Sequence, residues 1–347
     1  MTVKIDVDGM VRFLEGLLNT SSPVGDAGRA IAYVREALQD LGLKCRIAPK
    51  GYLTATLDGD LDDVPRAVTA HADTLGAMVA EVKSNGRLAL TKLGNWVWSS
   101  VEGEGVTVLP VNQPPVRGTI LPITASHHAY DEKMRKEPRE DGNMEVRLDA
   151  LVSTKEDVLA LGIRVGDFVP LDPRVEVTEA GFVRSRHLDD KAGVAAIYGA
   201  VAALLAADGR PRQRTTIHIS NYEEAGHGGT VGFPDDLGEL LVVDMAVVAP
   251  GRLGDETQVT ICAKDSSGPY HVEFRRRLEA LCQQLGLGYS TDIYPFYASD
   301  GSAYWSSGGD VPVALIGPGV DASHHYERTH RDGLEATAQL VAEYLLT

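Results

Sequence analysis

Ala67-Val68-Thr69-Ala70-His71-Ala72-Asp73 is a short apolar run that ends on a histidine and, two residues later, an aspartate. It reads as a buried strand whose chemistry sits at its end. Residues two apart on a strand face the same side, so His71 can hold a metal while Asp73 orients its other ring nitrogen. A strand-end histidine capped by a local aspartate is the plainer reading of this segment alone.

Four further segments follow in order. Asp189-Asp190 stands before an Ala-rich helix. An N-cap explains one acidic residue there, but two are more than capping needs, and a carboxylate can bridge two metals with its two oxygens. Glu223-Glu224 follows an apolar strand and precedes Ala225-Gly226-His227-Gly228-Gly229. One glutamate can bind metal while the other moves a proton, and a solvated loop start is the alternative. Asp244 interrupts Val242-Val243-Asp244-Met245-Ala246-Val247-Val248, where an ionised carboxylate is costly unless it is paired. The last segment is Ser323-His324-His325-Tyr326-Glu327-Arg328-Thr329-His330, and spacing does not decide which histidine binds. His127-His128 and His218 read as structural. His, Asp and Glu donors without Cys suit a pair of Zn²⁺, Co²⁺ or Mn²⁺ ions, and such a pair points to a hydrolase.

Outward from these segments the chain alternates strands and helices. Met10, Val11, Phe13, Leu14, Leu17 and Leu18 have helical spacing, as do Ile31, Val34, Leu38 and Leu41, closed by Gly42. Strands are expected at 44–47, 53–57, 215–220 and 240–243. A further strand at 312–316 is expected to enter a Gly317-Pro318-Gly319 turn. Helices are expected at 191–206, 274–285 and 333–346. This is an α/β pattern, a sheet covered by helices on both faces. From Gly76 to Val165 the texture changes to short strands separated by Gly, Pro and Asn, with one helix over 154–161. A β-rich module, residues 76–165, is therefore expected inside a discontinuous α/β domain of residues 1–75 and 166–347.

The 347 residues are 44% hydrophobic and 24% charged, as in ordinary globular proteins, and the net charge is −16. That charge argues against nucleic acid as a partner. Three scattered cysteines, Cys45, Cys262 and Cys282, favour a reducing compartment, hence the cytoplasm. The start, Met1-Thr2-Val3-Lys4-Ile5-Asp6, lacks the apolar core of a signal peptide. No apolar run reaches the ~18 residues of a membrane span. There is no Gly-x-Ser-x-Gly elbow and no P-loop.

Taken together, Ala70-His71-Ala72-Asp73-Thr74-Leu75-Gly76, Leu188-Asp189-Asp190-Lys191-Ala192-Gly193, Glu223-Glu224-Ala225-Gly226, Val243-Asp244 and the loop at His324 resemble the dinuclear-metal glutamyl or deblocking aminopeptidases of tetrahedral (TET) type, peptidase family M42. Leu161-Gly162-Ile163-Arg164-Val165-Gly166-Asp167 matches the return from that family's insertion. The resemblance implies a phosphorylase/hydrolase-like catalytic domain, an inserted barrel-like dimerisation domain, and dimers or dodecamers. By position it implies that Asp189 bridges two divalent ions, His71 and Asp244 complete one site, and Glu224 and His324 the other. Glu223 becomes the general base and Asp73 orients His71. The ending at 321–330 departs from the family's usual Arg-Tyr-x-His-Ser-Pro segment, which leaves the last ligand open between His324 and His325. It is similar to a divergent branch associated with a dipeptide-amide osmoprotectant.

The expected reaction is removal of the N-terminal residue of a short peptide or amide. Glu223 takes a proton from the attacking water and returns it to the leaving amine. A glycosidase built on Glu223 and Glu224 is a second reading, but it needs carboxylates roughly 5–10 Å apart on either side of a bond. Neighbouring residues at one strand end are poorly placed for that, and 6% aromatic content leaves little surface for sugar stacking.

Overall fold

The computed structural model describes residues 3–347. Met1-Thr2, on which part of the signal-peptide reading rests, lie outside the described residues. Contacts divide the chain into two compact units. One runs through Asp73 and resumes at Arg174; the other is Thr74–Pro173.

The first unit is built on a mixed sheet. Its centre is four parallel strands in the order Gln213–Ser220, Leu61–His71, Glu239–Val243 and Val313–Asp321. Ser220 pairs with His71 and Val243 with Ile316, so the carboxyl ends of these strands lie at one edge of the sheet. Alternate side chains feed opposite faces. Leu241, Val243, Ala314 and Ile316 join the core under the helices Val7–Leu18, Leu188–Ala206 and Arg331–Leu346. Leu240, Val242, Val313 and Leu315 join the opposite core with Tyr270, Tyr294 and Cys262. Burial on both faces explains why these strands are continuous apolar runs, and why their ends are the natural place for polar groups.

The long helices expected from the sequence are present, each starting two or three residues before its apolar spacing begins. Asp6 caps Val7–Leu18 by accepting the Gly9 N–H at 2.9 Å. Leu188–Ala206 is buried almost all round, which its Ala, Gly and Val content permits. Its second and third residues, Asp189 (φ −76°, ψ 107°) and Asp190 (φ −117°, ψ 34°), depart from helical geometry. The expected turn at Gly317-Pro318-Gly319 is instead strand, because Val313–Asp321 runs straight through it. The glycines serve close approach: a Cβ on Gly317 would lie 1.8 Å from the Asp244 carbonyl oxygen, and one on Gly319 would lie 2.0 Å from that of Asp255. A short helix at Asp300–Ser306 has no counterpart in the sequence reading.

The second unit is an antiparallel sheet in the order Gly105–Val108, Val116–Pro122, Met144–Leu148, Leu88–Leu93, Gly76–Val82 and Phe168–Val169. Bridges Val106 to Leu171 and Leu109 to Phe168 join its two edges, which curls it toward a barrel. Val79, Leu88, Val106, Ile120 and Val146 fill the inside with Trp96 and Trp98, whose rings meet edge-on at 4.9 Å. Lys155–Ala160 is the expected helix, entered through a Thr154–Asp157 capping box. Short helices at His127–Tyr130 and Glu132–Lys136 were not expected. Among the described residues no helix is long and apolar enough to cross a membrane.

Candidate metal centre and active site

His71 is the last residue of its strand, and its side chain is 1% exposed. Its Nδ1 lies 2.9 Å from the Asp73 carbonyl oxygen and donates to it, which leaves Nε2 to face the site. Nε2 lies 3.0 Å from Asp189 Oδ1 and 3.7 Å from Glu223 Oε2. The other oxygen of the same aspartate, Oδ2, lies 3.3 Å from His324 Nε2, and Glu224 Oε2 is 4.0 Å from that nitrogen. Asp189 thus stands between two imidazoles, one from the strand end and one from the loop after Val313–Asp321.

Donor atoms form two groups. His71, Asp190 and Asp244 offer atoms within 4.8 Å of one another, as do Asp189, Glu224 and His324. The two adjacent aspartates divide the work that sequence left ambiguous. Asp190 Oδ1 accepts the Gly193 N–H at 3.1 Å, a capping contact three residues ahead, and Oδ2 accepts the His71 N–H at 3.3 Å. Asp190 thus meets backbone N–H groups with both oxygens, whereas Asp189 turns both of its oxygens to the histidines. Of the two candidate histidines, His324 joins the cluster. His325 is exposed and joins neither donor group; its backbone N–H donates to the Ala322 carbonyl, and its own carbonyl accepts from Arg186 Nη1 at 3.1 Å.

Asp73 differs from expectation in one respect. It holds His71 through its carbonyl, while its carboxylate is 3.8 Å from His71 Nδ1. The carboxylate accepts the backbone N–H groups of Glu223 and Glu224, each at 3.2 Å. A local turn beyond Ser220 lets both glutamates converge, and Lys50 Nζ braces it through Thr230 Oγ1 (3.1 Å) and the His227 carbonyl.

The electrostatics are those of negative charge gathered out of water. Burial pushes Glu223, Glu224 and Asp190 well above the carboxylate range, and it lifts Asp244 to about 7, with Asp189 adding to the last. Burial also acts upward on Asp189, but hydrogen bonds from His324 and His71 outweigh it and hold that group low. Burial favours the neutral form of His71, yet Asp189, Glu223 and Asp244 raise its pKa well above the ordinary value. Glu224 Oε1 and Asp244 Oδ1 are buried with no hydrogen-bond partner among the described residues. Carboxylates with free lone pairs, beside imidazole nitrogens aimed at the same spot, are the donor set that divalent cations satisfy. The residues fit such ions.

Sequence reasoning missed several contributors. Glu327, 1% exposed, reaches into the site, and its only signal was its place three residues after His324. Tyr297, from the loop before Asp300–Ser306, donates its hydroxyl to the Met245 carbonyl at 3.0 Å and lies beside Asp244. His218, by contrast, is no part of the cluster: it is buried with Nδ1 2.8 Å from Thr69 Oγ1, and burial drops its pKa to about 3, as suits a structural histidine.

A family model described as M42 glutamyl aminopeptidase matches residues 51–340. A Bacillus subtilis (strain 168) protein described as "Putative aminopeptidase YhfE" is 42% identical over 335 residues, 96% of each chain. Among solved structures, the TET aminopeptidase from the marine sediment archaeon Thaumarchaeota archaeon SCGC AB-539-E09 superposes with a TM-score of 0.87. It is 18% identical and covers 97% of this chain and 96% of its own. The Pyrococcus horikoshii TET1 peptidase, described as assembling into a tetrahedron or a large octahedral shell, gives 0.85 at 20% identity, over 97% of this chain and 99% of its own. These structures share the fold, and the match to the family model covers most of the chain. The chain belongs to the M42 glutamyl aminopeptidase family and is a metal-dependent aminopeptidase.

Proposed function

We propose that this chain removes the N-terminal residue of short peptides with a pair of divalent ions, zinc, cobalt or manganese. His71 and Asp244 would hold one ion, Glu224 and His324 the other, and Asp189 would be shared. The observation that carries this reading is Asp189 itself, one oxygen toward His71 and the other toward His324. Such ions, when bound, supply Lewis acidity to a carbonyl oxygen and make water a better nucleophile at neutral pH.

The chain's own residues do the rest. Glu223, its backbone N–H held by the Asp73 carboxylate, takes the proton of the attacking water and delivers it to the departing amine nitrogen. A carboxyl pushed up by burial is suited to that exchange. His71 is kept in the tautomer that turns a free Nε2 lone pair into the site by donating Nδ1–H to the Asp73 carbonyl.

Glu223→Gln tests the role. Metal content should match wild type while kcat falls roughly 100- to 10,000-fold. Undiminished turnover at full metal occupancy would remove Glu223 from the mechanism.

The β-rich unit, with Val111, Leu151 and Val165 exposed, would carry subunit contacts in a homo-oligomer, a dimer or a dodecamer. The spacing of the three free cysteines supports a cytoplasmic setting.

A further inference from the structure

Glu327 opens the strand Glu327–His330, paired antiparallel with Phe182–Ser185, and Ser185 is its partner in register. The chain leaves Ser185 through Arg186, His187 and Leu188 to Asp189. From this position the buried Glu327 carboxylate reaches two backbone groups at once. Oε1 accepts the His324 N–H at 2.9 Å, and Oε2 accepts the Asp189 N–H at 3.2 Å. The two residues it grips are those whose side chains face each other across 3.3 Å.

The grip on His324 has a further reason. Its backbone lies in the left-handed region at φ +63°, and Ala322, two residues before it, lies at φ +58°. A residue with a Cβ adopts that region against a steric cost and stays there only when its surroundings fix it. A buried carboxylate accepting the residue's own N–H is such a fixture.

We infer that Glu327 is a positioning residue of the active site, a two-pronged clamp that sets the spacing of His324 and Asp189 and so shapes the metal position these two share with Glu224. It touches neither substrate nor reacting atoms. This rests on the reading of the site as a metal pair.

The test is a calorimetric titration of the metal-stripped full chain with Zn²⁺, repeated with Co²⁺ while its visible spectrum is followed. Wild type, Glu327→Gln, Glu327→Asp and His324→Ala are compared. The amide of Gln can accept through only one of its two heads, and Asp is one methylene too short to span both N–H groups.

Wild type is expected to take up ions in two steps. Both Glu327 variants should weaken the step that His324→Ala removes about 10- to 100-fold and, through the shared Asp189, weaken the other step by a clearly smaller factor. The cobalt spectrum of that step should change, and kcat should fall with KM little altered. Should Glu327→Gln fail to fold, Glu327→Asp keeps the charge and carries the same expectation. Two unchanged steps in either folded variant, or both steps weakened by one common factor, would overturn the clamp. A wild type that takes up fewer than two ions would overturn the metal-pair reading and the clamp with it.

Discussion

Asp189 Oδ1 lies 3.0 Å from His71 Nε2, and its Oδ2 faces His324 across 3.3 Å. One carboxylate thus links residues that are 253 positions apart in sequence, counting from His71 to His324. It can do so because His71 ends a central parallel strand and His324 follows the next strand but one.

Asp189→Asn keeps the shape and removes the charge. Both metal positions should weaken together, each by more than the roughly 10- to 100-fold typical of losing an outer partner. Elemental analysis after dialysis measures this. Retention of both ions would show that Asp189 is not shared.

Asp73→Asn separates the two jobs of Asp73. The carbonyl that orients His71 is untouched, while the amide can accept only one of the N–H groups of Glu223 and Glu224. The other N–H, left without its partner, should cost about 1–3 kcal/mol of stability. Turnover should drop about 10- to 100-fold, with affinity at the His71 side nearly intact. A collapse of that affinity would mean that the Asp73 carboxylate, and not its carbonyl, orients the histidine.

The buried acids give the metal-free protein an unusual pH dependence. Asp244 at about 7, Glu327 at about 8, and Glu223, Glu224 and Asp190 all sit above their unfolded values near ~4. Folding therefore binds protons there. The stability this contributes is complete below pH ~4 and is lost as pH rises through the folded values. Bound cations need the ionised carboxylates, so the stabilisation by metal should grow from pH 6 to pH 8. His218, depressed to about 3, and Lys191, depressed to about 7 by burial, act with the opposite sign. They act alike with and without metal, so they cancel in the difference. Denaturant melts of stripped and loaded protein measure it. A metal increment independent of pH would contradict the raised values.

Gly317→Ala probes the backbone behind Asp244. The added Cβ would lie 1.8 Å from the Asp244 carbonyl, so the two strands must part. A loss of about 1–3 kcal/mol or more is expected, with weaker metal binding on the His71 and Asp244 side. Wild-type stability would mean that this contact is slack.

These residues also show what sequence can carry. The strand ends at His71 and Asp244 were legible because an acid or imidazole closing an apolar run has few comfortable places in a two-faced sheet. The buried helix after Asp190 was legible from its small apolar residues. The strand through Gly317-Pro318-Gly319 was not, because glycine signals both turns and close approach, and only the neighbouring backbone tells them apart. Read as a motif alone, Asp189 and Asp190 looked equivalent, and only the family resemblance singled out Asp189; the non-helical backbone there turns one carboxylate to the histidines and the other to Gly193. His324 was inseparable from His325 by spacing, since a left-handed backbone residue decides which ring turns inward. Glu327 was hidden because its partners are backbone N–H groups, which leave no mark on the sequence.

The most direct measurement is metal content and aminopeptidase activity of stripped wild-type protein as Zn²⁺, Co²⁺ or Mn²⁺ is restored, against a panel of aminoacyl-amides and short peptides. Binding of about two ions per chain, with cleavage appearing only as the sites fill, is the expected result. Full cleavage by the stripped protein, or no bound metal at any concentration, would contradict it.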